Sequence, residues 1–240
     1  MHDSTTTQPA LARTDSPGRT TAGPAAPSST LPTSTPTTTP TSTPTSTSPS
    51  ISQTTVRRLG LALTGGAVAW AASIFVYGTN ATGFGGRVGD LTGLLFQLGV
   101  FALLTVMFHT RATGTSRAAR IMIRVEYVLL GLASVWSLIH GVAPDAVRES
   151  APVLVLDVFW PLSMLGMFVI GIKVAFAGRW RSVLRAWPLV AETWAVVTVP
   201  AFLILGEPVS SWVGGVHLLV GYATLGALLA RRPELTGSTD

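Results

Sequence analysis

The sequence predicts an all-α membrane protein: six transmembrane helices with both termini cytoplasmic, preceded by a disordered Ser/Thr/Pro-rich tail. Three observations carry that prediction. Past residue 55 the chain is a series of apolar runs, each about long enough to cross a bilayer as a helix. Of its 240 residues, 48% are hydrophobic and 11% charged, against about a quarter charged in soluble domains. Twelve of the 16 basic residues fall in alternate gaps between the runs. They are Arg57 and Arg58, then Arg111, Arg117, Arg120 and Arg124, then Lys173, Arg179, Arg181 and Arg185, then Arg231 and Arg232. The other three gaps hold only Arg87 and Arg148. Short loops obey the positive-inside rule, so the arginine-rich gaps and both termini are expected in the cytoplasm.

Residues 1–55 differ in composition from the rest. Ser, Thr and Pro dominate, and variants of Pro-Thr-Ser-Thr repeat between Pro32 and Pro49. So little apolar surface does not offset the entropy of ordering, and the segment reads as a disordered cytoplasmic tail. A charged start followed directly by an apolar core is missing, so it does not read as a signal peptide. The membrane domain is expected over 56–232, with spans at about 59–77, 88–108, 121–142, 153–177, 187–205 and 209–230. A short cytoplasmic tail follows at 233–240. Trp180 and Trp187 at the inner face and Trp212 at the outer face are placed for aromatic belts. Gly206-Glu207-Pro208 predicts a tight outer hairpin between the last two spans. The glycine-rich run Thr82-Gly83-Phe84-Gly85-Gly86 reads as a flexible outer loop, matching neither a P-loop nor a dinucleotide fingerprint.

Ionisable side chains inside spans are costly and normally face the bundle interior, so the candidate site is sought among them. Glu126, Glu192 and Lys173 each lie about five residues from the cytoplasmic face, roughly 7 Å deep by helical rise. No base lies three or four residues from Glu126 on its own helix, so its expected partner is Lys173, which also reaches toward Glu192. This set is read first as an interhelical ion pair, and alternatively as a proton or ion relay. Toward the outer face lie Asp157, His217 and His140. Asp157 precedes Pro161 by four residues, so its own carbonyl loses a helical bond. His217 sits in a stripe of small residues with Gly214, Gly221 and Thr224, which places it against protein, and an Asp157–His217 pair is expected. His140 shares a stripe with Ala133, Ser137 and Glu126, while Asp90, Gly93 and Gln97 share a face of the second span. Pro200 frees the carbonyl of Val196 and is expected to kink the fifth span.

Several chemistries drop out. The chain has no cysteine, which removes disulfides, thiolate catalysis and cysteine-ligated metals. Haem held between His140 and His217 requires both at one depth, and their positions differ by roughly 8 Å by helical rise, so a haem-holding redox protein ranks third among the readings. No catalytic motif, metal site or cofactor is expected. The net charge of +5 resides in clusters at helix ends, which suit anionic lipid headgroups better than nucleic acid.

The segments Trp160-Pro161-Leu162-Ser163-Met164-Leu165-Gly166-Met167, Gly178-Arg179-Trp180-Arg181 and Trp187-Pro188-Leu189-Val190-Ala191-Glu192-Thr193-Trp194 resemble those of uncharacterised multi-pass membrane proteins of actinobacteria. The resemblance covers mainly spans four to six and carries no known activity. It implies a bacterial cell membrane. The leading functional expectation is a non-enzymatic structural or accessory membrane component, its partners being the lipid bilayer and other membrane proteins or a second copy of itself. The alternative is a small proton-coupled permease built on the intramembrane carboxylates, lysine and histidines.

Overall fold

A computed structural model describes residues 51–239. The disordered-tail expectation falls on residues 1–50, outside that range, and the helical domain begins slightly earlier than the composition suggests. Ser52 caps the first helix, its hydroxyl accepting from the amide of Thr55 (3.2 Å), so residues 53–55 already belong to a span.

Among the described residues six helices are long and apolar enough to cross a membrane: α1 (Gln53–Tyr77), α2 (Gly83–His109), α3 (Arg117–Val142), α4 (Ala151–Ala177), α5 (Trp187–Leu205) and α6 (Val209–Arg231). This is the architecture of an integral membrane protein, and each sequence-predicted span is present. The glycine-rich loop is the main correction. Gly83, Gly85 and Gly86 form the first turns of α2, and Gly85 packs under the ring of Tyr77 where a Cβ would crowd it at 3.0 Å. Ser116 caps α3 by accepting from the amide of Ala119 (3.1 Å).

Three spans are interrupted. α4 breaks at Val158, between segments Ala151–Asp157 and Phe159–Ala177. The break falls where Pro161 has no amide proton to offer the carbonyl of Asp157. α5 breaks at Thr193, between Trp187–Glu192 and Trp194–Leu205. Pro200, expected to kink this span, lies within the continuous second segment instead. α6 contains a π turn at Leu219–Ala223.

Each span packs on its neighbours in sequence, and α6 returns to α1, so the six close into a ring. Glycines let α1 approach both flanking helices backbone to backbone. A Cβ on Gly226 would lie 2.5 Å from the carbonyl oxygen of Gly60, and one on Gly66 would lie 2.5 Å from that of Leu95. Thr64 adds a hydrogen bond across the first crossing, from its hydroxyl to the carbonyl of Ala223 (3.1 Å).

The arginine-rich end is tied together by backbone. The amide of Gln53 donates to Thr239 (3.0 Å), and that of Arg181 to Leu235 (3.0 Å). The segment after α6, expected as a tail, is thus folded against the helix ends as far as Thr239. Trp180 is buried there and not in a lipid belt; its indole donates to Thr110 Oγ1 (2.9 Å). Trp187 also points inward, its indole donating to the carbonyl of Gly221 (3.1 Å). Trp212, at the opposite end, is exposed as a belt residue would be.

Candidate functional site

At mid-height the ring is filled by aromatic side chains. Trp70 (α1) stacks on Phe96 (α2) with centroids 4.9 Å apart, and Phe96 meets Tyr222 (α6) edge-on at 4.8 Å. Trp160 (α4) stands nearly perpendicular to both Trp70 and Trp194 (α5), at 85° and 89°. Five helices therefore contribute to one aromatic layer.

On the side of this layer away from the arginine-rich end lies a cavity of about 870 Å³. It runs from the α1–α2 loop at Thr79 and Asn80 down to Gln97 and Thr198. Gln97 is fourteen residues into α2, a depth of about 21 Å by helical rise. Its floor is Trp70, Trp160 and Trp194, and its polar wall is Asp90, His140, Arg148 and Asp157. The Asp90 carboxylate lies 3.6 Å from His140 Nδ1 and 3.7 Å from Arg148, and His140 stacks on Trp136 at 4.3 Å. Asp90, Gly93 and Gln97, which share a face by spacing, all line this cavity. Gln97 Nε2 donates to Ser137 Oγ (2.8 Å), so the small-residue stripe of α3 meets that face.

Buried polar atoms without partners cluster here. Among the described residues they are Gln97 Oε1, Trp136 Nε1, Thr198 Oγ1 and Glu192 Oε1, and the first three belong to cavity-lining residues. Leaving such atoms unpaired costs about 1–3 kcal/mol each.

The predicted lysine-centred network does not form. Lys173 is exposed at the arginine-rich end, beside Thr113, Ser116 and Arg179, and no ion pair joins it to a carboxylate among the described residues. Helix α4 meets both glutamates through glycine instead. A Cβ on Gly166 would collide with the Glu126 carboxylate, and one on Gly171 would press on Glu192 Cγ at 3.2 Å. The hydrogen-bond partners are hydroxyls: Ser163 Oγ donates to Glu126 Oε1 (2.5 Å), and the Tyr222 hydroxyl to Glu192 Oε2 (2.5 Å). Both carboxyl side chains are buried. Sequence reasoning sought bases for these acids. It passed over hydroxyls, which a helix interior supplies at no charge-burial cost.

The expected Asp157–His217 pair is likewise absent. His217 Nε2 sits 3.2 Å from the carbonyl of Val190 and 3.3 Å from Thr193 Oγ1, at the break in α5. A helix interruption frees backbone acceptors, and a ring N–H supplies the missing donor. Asp157 lines the cavity, exposed and, among the described residues, without an ion-pair or hydrogen-bond partner. His140 and His217 have separate surroundings and do not converge on a common ligand position.

A second polar cluster lies at the cavity end. Glu207 accepts from the amide of Thr79 (2.8 Å), from the Thr79 hydroxyl and from Ser211 Oγ, joining the α1–α2 loop to the α5–α6 hairpin. Partial burial raises the carboxyl's pKa, but these donors outweigh it and hold the group below the ordinary carboxylate range. Exposed in sequence terms, Glu207 gave no signal; its role depends on loops 128 residues apart meeting.

No protein family, curated protein or solved structure matches the chain.

Proposed function

We propose that this integral membrane protein is a small-solute permease, non-enzymatic, whose binding site is the cavity above the aromatic layer. One observation carries the reading: a ring of six helices encloses about 870 Å³ lined by ionisable side chains, open at one end and floored by tryptophans. That volume falls in the range of small-molecule sites. The interruptions support it. Transporter sites are typically built where helices break, because freed backbone groups are tolerated where they border a cavity. Val158 and Trp194, at the breaks in α4 and α5, both line this one. The arginine distribution directs the cavity mouth away from the cytoplasm, as in an outward-open state.

Glu126 and Glu192 lie on the other side of the aromatic layer and serve this reading as the proton-coupling groups. Tyr222 connects the two levels, since its ring contacts Phe96 in the layer and its hydroxyl bonds Glu192. The test is uptake into proteoliposomes under an imposed proton gradient. Accumulation that the gradient drives, and that Glu192→Gln uncouples, is the expected outcome. Solute entry indifferent to the gradient in the parent protein removes the proton-coupled mechanism.

A structural or accessory role has its own supporting observation, the seating of both carboxyls against Gly166 and Gly171 in the closely packed half. It is favoured if reconstituted protein moves no solute while Glu126→Gln and Glu192→Gln lose thermal stability.

A further inference from the structure

We infer that the cavity takes a small organic monocation, an ammonium group carrying an apolar body. The inference deepens the permease reading, and it rests on that reading only where transport is concerned. Three independent features of the cavity agree on charge and shape.

The first is charge. Two carboxylates, Asp90 and Asp157, face one guanidinium, Arg148, leaving one negative charge when histidine is counted as neutral. Asp90 is already engaged with His140 and Arg148. Arg148 also reaches Asp145 at 3.4 Å, and Arg87 reaches Asp145 at 3.0 Å. The surplus charge is therefore that of Asp157, which has no cationic partner among the described residues. Asp157 is exposed where it lines the cavity, so its carboxylate can meet a bound monocation without giving up an internal partner.

The second is the aromatic floor. Asp157 and Trp160 both line the cavity from α4, one on each side of its break at Val158. Trp160 meets Trp70 and Trp194 almost at right angles, which makes a concave corner and not a flat stack. Indole faces attract cations and tolerate the alkyl groups around an ammonium nitrogen, each contact being worth about 0.5–2 kcal/mol. An inorganic cation, which needs several oxygen ligands, is poorly served by such a floor.

The third is the unpaired acceptor. Gln97 is almost fully buried beside this cavity, and its Oε1 has no donor. Thr198 is as deeply buried on the facing helix, with its hydroxyl also unpartnered. Both suit an N–H or hydroxyl group on the far end of a bound cation. An anion is disfavoured by the same inventory, because the one base at the wall is already shared between two aspartates.

The test uses the full chain in nanodiscs and reads tryptophan emission, to which the cavity contributes four of the seven tryptophans. Choline and tetraethylammonium are the cationic probes. The neutral isostere of choline, 3,3-dimethylbutan-1-ol, and 3,3-dimethylbutanoate control for shape and charge. Saturable binding of a cationic probe, at least about tenfold tighter than the neutral isostere and weakened at least about tenfold by Asp157→Asn, is the expected result. Asp157 is exposed and makes no internal bond, so the variant should retain the parent's melting temperature. Equal binding of the isostere, preference for the anion, indifference to Asp157→Asn, or no binding of either cation overturns the inference. Cation binding without uptake in proteoliposomes removes the permease reading and leaves the ligand class standing.

Discussion

Gly166 and Gly226 show how differently two glycines of one bundle can matter. A Cβ at Gly226 would meet the carbonyl oxygen of Gly60 at 2.5 Å and the amide of Thr64 at 2.8 Å, backbone atoms that yield only if α1 and α6 separate. At Gly166 the obstacle is a carboxyl tip, which can swing aside if it surrenders the bond from Ser163. Gly166→Ala is therefore expected to cost about 1–3 kcal/mol, offset by roughly 1 kcal/mol of improved helix propensity. In a Glu126→Ala background the same substitution should cost nothing or stabilise. Thermal melts of the four proteins form the cycle that measures this coupling. If Gly166→Ala is as harmful without Glu126 as with it, the carboxyl is not what the glycine accommodates. Lys173 gives a contrasting expectation: exposed and unpaired, Lys173→Met should shift stability by no more than about 0.5 kcal/mol, whereas a buried ion pair broken on one side loses about 3–5. Spacing along single helices groups Glu126, Glu192 and Lys173 only by their distance from the span ends. It could not choose between neighbours on different helices, because that choice depends on helix rotation, which hydrophobic runs without a sharp polar face leave undetermined.

Among the elements, the spans were legible to within a few residues because length and apolarity suffice to define them. Their interruptions were only partly so. Pro161 announces the break at Val158, whereas the break in α5 falls at Thr193, seven residues before Pro200, in a stretch with no proline or glycine between Leu189 and Val199. The π turn at Leu219–Ala223 carries no composition signal either. Composition also misled at the start of α2, where clustered glycines read as a loop but permit close contact with Tyr77. The clasp between the α1–α2 loop and the α5–α6 hairpin belongs to this scale and is expected to respond to acid. Glu207 titrates below its ordinary value, so its contribution is complete above the unfolded pKa and fades as pH falls through the folded one. Amide exchange at Thr79 should accelerate on acidification, beyond the intrinsic pH trend, in the parent protein. In Glu207→Gln that excess should vanish, and an unchanged pH profile in the variant would show that another group controls the loop.

For the whole molecule, the arginine pattern makes an orientation testable without altering any native thiol, because the chain has no cysteine. Thr115→Cys and Ser150→Cys place single thiols at opposite ends of the ring. In intact bacterial cells an impermeant maleimide is expected to label the second and not the first; the reverse pattern would invert the topology and turn the cavity mouth toward the cytoplasm. The ring closure and the cavity could not be read from the chain. Which helices neighbour one another beyond sequence order, α6 with α1 above all, emerges from glycine crossings that pair residues 60 and 226. The cavity's polar wall joins Asp90, His140, Arg148 and Asp157 from separate spans and a connecting turn, none of which is diagnostic alone.

The glycine crossings divide the ring mechanically. Along α1, bare backbone meets bare backbone on both sides, at Gly66 with α2 and at Gly60 with α6, and little can slide there without opening a gap. The spans least buried within the chain are α3, α4 and α5, and two of these three are broken, α4 at Val158 and α5 at Thr193. Stiffness is thus concentrated on one side of the cavity and compliance on the other. Any motion that empties the cavity toward the arginine-rich end would leave α1, α2 and α6 as a stationary frame, with the outer segments of α4 and α5 swinging against it like a shutter about Val158 and Thr193.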